Sequence, residues 1–268
     1  MSDFILTDEN YYSAPADREY MSVSQFKDFH GSYGIHGCEF QAMERLNGRY
    51  PKPSGTPLLV GGYVDAWFEG TLDKYKENHP EILKKDGNLK ADFVQADEII
   101  ERVQKDPMFM YYMSGEKQVI MTGEIEGIPW KIKIDSLLPD TIVDLKVMSQ
   151  IDKNKWVEDI GEYLDFVRYW GYDIQGAVYQ EIVRQNTGKK LPFVIAGVTK
   201  EDEPNLELIE VDQIYLDEAM RIVKENAPKI VDIKSGLIQP ERCGTCGCCR
   251  KNKVLLEPIK LSMIANRK

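Results

Sequence analysis

Between Ile128 and Asp135 apolar and polar residues alternate, with Ile128, Trp130, Ile132 and Ile134 on one parity and Pro129, Lys131, Lys133 and Asp135 on the other. A period of two predicts a strand with one apolar face, which sends Lys131, Lys133 and Asp135 to the opposite face. A second run, Ile142-Val-Asp144-Leu-Lys146, turns Val143, Leu145 and Val147 toward a core, while Asp144 and Lys146 share the other face. Pro139-Asp140-Thr141 supplies the turn between them. Antiparallel pairing of these strands would bring Asp135 and Asp144 together across the ladder, with Lys146 beside them. Other strands are expected near 117–125, 192–199 and 206–211, and Glu126-Gly127 reads as a hairpin turn.

Elsewhere the hydrophobic period lengthens to that of a helix. Ser22-Val-Ser-Gln25 reads as a capping box opening a short helix through Phe29, and Cys38 to Leu46 as a second helix closed at Asn47-Gly48. Pro51, Pro53, Gly55 and Pro57 break the chain before a helix that carries Asp65 and Glu69 on one face. Phe93, Ala96, Ile99, Ile100 and Val103 form the apolar stripe of a helix near 91–105. A long helix is expected from about 161 to 186, with Tyr172, Gln175 and Tyr179 on one face, and a final one from about Gln213 to Ser235. Strands flanked by helices on both sides indicate a layered α/β (α+β) fold.

Composition narrows the class. The chain has 268 residues, 43% of them hydrophobic, enough to bury a full core. It is expected to form a single domain over 1–268, with an N-terminal helical part (1–115), a core (116–235) and a Cys-rich tail (236–268). No run of 18 apolar residues suggests a membrane span, and Met1-Ser-Asp-Phe-Ile-Leu-Thr-Asp-Glu lacks the basic start and apolar stretch of a signal peptide, so a cytoplasmic address is expected. No internal repeat or low-complexity tract is present.

Two carboxylates converging beside a lysine attract a hard divalent cation, because oxygen ligands and unneutralised negative charge suit Mg²⁺ or Mn²⁺. A neighbouring ammonium can then hold an attacking water or counter charge developing on a phosphorus centre. An Asp-x-Lys pair on a strand also occurs as a solvated surface pair. Here the upstream Asp135 and the strand-turn-strand context favour a site built from Asp135, Asp144 and Lys146.

On these residues the chain resembles the PD-(D/E)XK nuclease superfamily, and within it the RecB-like, phage-type exodeoxyribonucleases of the RecE and lambda exonuclease kind. The motif of an Asp followed by Asp or Glu, any residue and Lys falls on Asp135, Asp144 and Lys146. The Gln-x-x-x-Tyr signature falls on Gln175-Gly-Ala-Val-Tyr179, and the helix written Gly-x-x-x-His-x-x-x-Glu reads Gly61-Gly-Tyr-Val-Asp65-Ala-Trp-Phe-Glu69, with Asp65 where many relatives carry His. The resemblance runs from about Ser22 to Arg250. It implies a restriction-endonuclease-like core with a central mixed sheet, and metal-dependent hydrolysis of DNA. Asp65, Asp135, Asp144 and the Leu145 carbonyl would hold Mg²⁺ or Mn²⁺, and Gln175 and Tyr179 would position the strand. Linear DNA ends are the implied substrate, a single-strand annealing protein the implied partner, and rings the assembly of lambda-type relatives. Glu116 and Glu124 either add a carboxylate to the metal site or, as the favoured reading, are solvated strand-edge residues.

The five cysteines form a second signal: Cys243-Gly-Thr-Cys246-Gly-Cys-Cys249 gives C-x₂-C-x₂-C with Cys248 as an extra, and the remaining cysteine is Cys38. Closely spaced thiols separated by small residues fold around one metal centre, as in zinc sites and iron–sulfur loops. A disulfide framework is disfavoured in a reducing compartment. Some RecB-like nucleases hold an iron–sulfur cluster with one N-terminal and three C-terminal cysteines, a division that Cys38, Cys243, Cys246 and Cys249 match. A [4Fe–4S] cluster, Zn²⁺ and unligated thiols all remain open. His30, His36 and His79 show no metal spacing.

The formal net charge of −10 runs against a DNA enzyme, since phosphate contact normally appears as basic excess. Lys131, Lys133, Lys146, Lys153 and Lys155 are expected to gather around the site, and Arg250, Lys251 and Lys253 follow the cysteines. The competing reading is a non-cleaving, nuclease-like scaffold that binds DNA or a partner and carries a structural metal module. An endonuclease of the same superfamily is a third.

Overall fold

The computed structural model describes residues 4–52, 54–255, 257–258 and 260–261. Pro53 of the expected break, residues 1–3 of the N-terminal stretch, and residues 256, 259 and 262–268 of the tail lie outside the described residues. The first part contains helices α1 (Ala14–Glu19) and α2 (Val23–His30), and a short hairpin of β1 (Gly31–Ser32) and β2 (Ile35–His36). Then come α3 (Glu39–Leu46), α4 (Thr56–Phe68), α5 (Leu72–Asn78), α6 (Ala91–Gln104) and α7 (Pro107–Tyr112). Strands β3 (Glu116–Ile125), β4 (Ile128–Leu137) and β5 (Ile142–Met148) follow, with a hairpin of β6 (Lys155–Val157) and β7 (Glu162–Leu164). Helices α8 (Phe166–Trp170) and α9 (Tyr172–Thr187), strands β8 (Phe193–Thr199) and β9 (Leu206–Glu210), and helices α10 (Gln213–Ser235) and α11 (Gly247–Lys251) complete the chain.

Five strands form one mixed sheet in the order β3-β4-β5-β8-β9, antiparallel except for the parallel β5–β8 pair. The Glu126-Gly127 turn joins β3 to β4 with φ of +52° and +69°, the left-handed pair that a two-residue hairpin with the native strand twist requires. Helices cover both faces. Trp130, Ile132 and Ile134 of β4 pack with α2, α9 and α10, whereas Val143 and Leu145 of β5 pack with α4, α6 and α7. Strand β8 contributes Phe193 and Ile195 to the first cluster and Ala196 and Val198 to the second, which is why it reads as one unbroken apolar run. The architecture is the layered α/β fold that the sequence pattern implied, built on the central mixed sheet that the resemblance implied. Among the described residues no helix is long and apolar enough to cross a membrane.

Two local expectations are corrected. The helix expected from about 161 instead begins at Tyr172, preceded by the separate short helix α8. Gly161 and Gly171 both take φ of +67°, and Asp165 caps α8 by accepting from the Arg168 amide at 3.0 Å, so the punctuation was present but the apolar period bridged it. The capping box is half formed: Ser22 accepts from the Gln25 amide at 3.3 Å, but the Gln25 side chain donates to the Asp17 carbonyl at 2.7 Å.

Helix α9 lies close to the sheet because Gly176 has no side chain. A Cβ built there would stand 2.5 Å from Phe193 and 2.8 Å from Leu216. Gly176→Val is therefore expected to lose at least about 2 kcal/mol of stability through overpacking, seen as a lower denaturant midpoint; an unchanged midpoint would show that α9 can ride away from the sheet.

Candidate functional site

Strands β4 and β5 pair only at Ser136↔Val143 and Leu137↔Ile142. The next position of that register would set Asp135 opposite Asp144, and there the ladder stops. The Leu145 amide, which has lost its strand partner, donates instead to Asp135 Oδ2 at 2.9 Å. The carboxylate thus fills the gap between diverging strands. On the other edge of β4 the ladder with β3 passes from Lys117↔Ser136 to Val119↔Ile134 and omits Gln118. Gln118 takes φ of +51° inside a strand, an unfavourable conformation for a residue with a side chain. Its Nε2 lies 3.4 Å from Asp135 Oδ1. Along β4 itself the alternation slips here, since Ile134 and Leu137, three apart, pack against the same core cluster.

Asp144 is 2% exposed on β5, beneath α9. Gln175 of α9 donates to its Oδ1 at 2.5 Å. Its Oδ2 lies against the Lys146 ammonium yet accepts no hydrogen bond of good geometry. The Lys146 ammonium also stands 3.4 Å from the Leu145 carbonyl and 5.0 Å from the centre of the Tyr172 ring. Tyr179, one turn beyond Gln175, donates from its hydroxyl to the Lys133 carbonyl at 2.9 Å. Gln175 and Tyr179 are therefore engaged with Asp144 and with strand β4, respectively.

The charges are crowded. Desolvation, and then the nearby Asp144, push the Asp135 carboxyl up to about 7. Asp65, presented by α4, is raised well above the ordinary carboxylate range by desolvation and then by Asp135, with Asp144 and Glu69 adding to it. Desolvation would lower the Lys146 ammonium, but Asp144 and Asp135 outweigh it and hold its pKa above the ordinary value. A second ammonium, unforeseen from the sequence, stands close by. Lys27 of α2 donates to the Trp170 carbonyl at 3.2 Å and lies 5.5 Å from the Tyr172 ring centre. Desolvation, then repulsion from Lys146, bring it down to about 8. Its signal in the sequence is faint: a lysine four residues after Val23 and next to Phe26, both buried. Gln118 carried none, because the slip along β4 depends on how the strands diverge.

The other lysines expected around the site are mostly committed elsewhere. Lys131 is buried and donates to the Tyr11 carbonyl and to Asp17, Lys133 pairs with Asp8 at 2.7 Å, and Lys155 stands 4.7 Å from the Trp170 ring centre. The N-terminal segment packs over the polar face of β4, so this face is not open to solvent. Glu116 and Glu124 are exposed.

Asp135 and Asp65, both held above the ordinary carboxylate range, and the buried Asp144 beside them fit a hard divalent cation by charge and donor type. Their oxygens are not drawn into one tight knot. Among the described residues the one group of three or more metal-ligating side chains whose donor atoms all lie within 4.8 Å of one another is Cys38, Cys243, Cys246 and Cys249. Cys38 Sγ is 3.6 Å from Cys249 Sγ and 3.7 Å from Cys246 Sγ, and Cys243 Sγ is 3.9 Å from Cys249 Sγ. The amides of Cys246 and Cys249 each point at the preceding ligand sulfur at 3.3 Å. Burial opposes ionisation of Cys243, but the Cys246 amide and Thr245 pull its thiol down to about 6. Cys248 is buried and stands outside the four, with Asn252 Nδ2 3.7 Å from its sulfur. The tail is held on α3 by more than sulfur: Phe40 N donates to the Glu241 carbonyl at 3.0 Å, Glu241 N to Glu39 at 2.8 Å, and the Arg242 guanidinium sits 3.7 Å over the Phe40 ring.

With this geometry in place, comparison with known proteins identifies the class. The chain belongs to the family described as a PDDEXK-like domain of unknown function, whose pattern matches residues 22–252. It is also similar to a solved structure from Eubacterium rectale described as a "putative exonuclease", with 59% sequence identity, a TM-score of 0.95, and coverage of 98% of this chain and 99% of that one. No curated protein matches the chain.

Replacing Gln175 by Leu would leave Asp144 Oδ1 buried without its donor. A loss of about 1–3 kcal/mol is expected for the metal-free protein, measured by thermal denaturation in a chelating buffer. A variant as stable as the parent would show that this hydrogen bond does not hold the carboxylate.

Proposed function

We propose that the protein is a Mg²⁺- or Mn²⁺-dependent deoxyribonuclease that hydrolyses phosphodiester bonds from the ends of linear DNA, in phage-type recombination or end processing. The observation that carries the reading is the pair Asp135 and Asp144 where β4 and β5 cease to pair, with Lys146 against Asp144. Family membership and the likeness to a "putative exonuclease" support it. The whole chain is read as a single nuclease domain with 116–235 as its core, working in the cytoplasm on DNA. A single-strand annealing partner and an oligomeric assembly belong to the same reading.

In this scheme Asp135, Asp144 and Asp65 hold the cation, with the Leu145 carbonyl as a further oxygen. When bound, the cation supplies Lewis acidity toward a phosphate oxygen and a water. Lys146, kept protonated by its carboxylate neighbours, acts as an electrostatic group: it orients water by donating a hydrogen bond and balances negative charge on the phosphoryl oxygens. Gln175 fixes the rotamer of Asp144, and Tyr179 anchors β4 to α9, so both position the strand and the carboxylates together. Lys27 adds a second positive group on the α2 side of Tyr172, suited to a backbone phosphate.

Asp144→Ala and Lys146→Ala are each expected to slow digestion of linear DNA in Mg²⁺ by at least about 100-fold. A folded variant that digests as fast as the parent would remove the proposal. The raised Asp135 carboxyl also makes cation binding release protons. A carboxyl with a folded pKa near 7 stabilises the metal-free fold at low pH and ceases to do so as pH rises through that value. Mg²⁺ is therefore expected to raise the melting temperature more at pH 8 than at pH 6, with apparent affinity falling up to about tenfold per pH unit below the carboxyl pKa. Calorimetry in buffers of different ionisation heat measures the protons released; zero release at pH 6 would contradict the role of Asp135.

A further inference from the structure

We infer that Cys38, Cys243, Cys246 and Cys249 form a mononuclear zinc site, and not the iron–sulfur centre that the division of cysteines between the two ends of the chain suggests. The argument is the spacing of the sulfurs. Four thiolates around one ion at about 2.3 Å lie at the corners of a tetrahedron with edges of about 3.8 Å. Three of the six sulfur separations are 3.6, 3.7 and 3.9 Å, and all six lie within 4.8 Å. A cubane binds each thiolate through a separate corner iron, so the four cysteine sulfurs stand outside eight inorganic atoms and spread apart. Sulfurs already near van der Waals contact leave no room for that core. They leave room for one ion.

The backbone around the site supports the same count. Gly244 takes φ of +77°, a left-handed conformation that lets the chain turn back so that the Cys246 amide points at Cys243 Sγ. Gly247 passes the Tyr50 hydroxyl so closely that a Cβ would stand 2.6 Å from it. These two glycines fold the ligand-bearing loop tightly onto α3, where Cys38 precedes the first helical residue. The fifth cysteine, Cys248, faces away and offers no additional ligand. Among divalent ions a tetrahedral set of four thiolates suits zinc, which binds such ligands more tightly than ferrous iron does and imposes no geometry of its own.

The ion would staple two segments far apart in the chain: Cys38 and Cys246 are 208 residues apart. It would pin the tail over α3 next to the Arg45–Asp28 pair, outside the cluster of carboxylates. The inference stands apart from the nuclease reading, and its test does not use DNA.

The full chain, purified anaerobically without added metal, is expected to carry about one zinc per molecule, with no visible absorbance and no acid-labile sulfide. Exchange with cobalt(II) should give the intense visible bands of a tetrahedral thiolate complex. Cys248→Ser should retain the zinc. Cys38→Ser should lose most of it, and the wild-type metal content and cobalt spectrum decide the matter should that variant fail to fold. Iron with sulfide, iron without sulfide, or metal-free protein that does not take up zinc would each overturn the inference.

Discussion

Asp135 and Asp144 face each other where β4 and β5 cease to pair, and their mutual repulsion in a desolvated place shapes the surrounding structure. Desolvation, with repulsion from Asp144 added, pushes Asp135 up to about 7, and desolvation with repulsion from Asp135 raises Asp65 well above the ordinary carboxylate range. The protein counters with groups that donate without moving: the Leu145 amide onto Asp135, the Gln175 amide onto Asp144, and the Lys146 ammonium beside it. Each of these sits on a regular element or a strand end fixed by the core. Core packing thus holds in place an arrangement that electrostatics alone would disperse.

The same constraint explains why so much of the chain converges on β4. Trp130, Ile132 and Ile134 lock one face against α2, α9 and α10. On the opposite parity, Lys131 and Lys133 are neutralised by Asp17 and Asp8 from the N-terminal segment, which lies across the strand. A strand covered this way cannot slide or twist to separate its carboxylate from Asp144. Gln118 bears a local backbone cost at the one ladder position where regular pairing would be incompatible with the displaced Asp135. A strained residue beside a crowded acid is what one expects where function, not stability, sets the local geometry.

Much of this was legible in the residues. Alternation along 128–134 marked β4 and its core face, and the two-residue offset between Asp144 and Lys146 placed them together. The four-residue offset between Gln175 and Tyr179 likewise set both on one face of α9. The approach of Cys38 to the C-terminal cysteines was suggested by resemblance, and the sulfur separations bear out their assembly. What periodicity misses are effects of strand divergence and of contacts between distant segments. The slip at Asp135, the left-handed Gln118 and the arrival of Lys27 beside Lys146 all arise from pairing that stops, and a hydrophobic pattern has no symbol for that. The break at Gly171 was lost for another reason: apolar residues continue at helical spacing across it, and the glycine's left-handed φ outweighs them.

The net charge of −10 takes on a definite meaning in this setting. Cations near the site are largely committed: Lys131 to Asp17, Lys133 to Asp8, Lys146 to Asp144. A polyanion therefore meets few uncommitted ammonium groups there, and weak non-specific attraction is the consequence. Positive potential for a phosphate backbone has to come from charge added where the carboxylates are concentrated. Under the proposed function, the acidic composition is compatible with DNA as a substrate only when the acidic cluster is neutralised, which would tie substrate attraction and cation binding to the same few residues where β4 and β5 cease to pair.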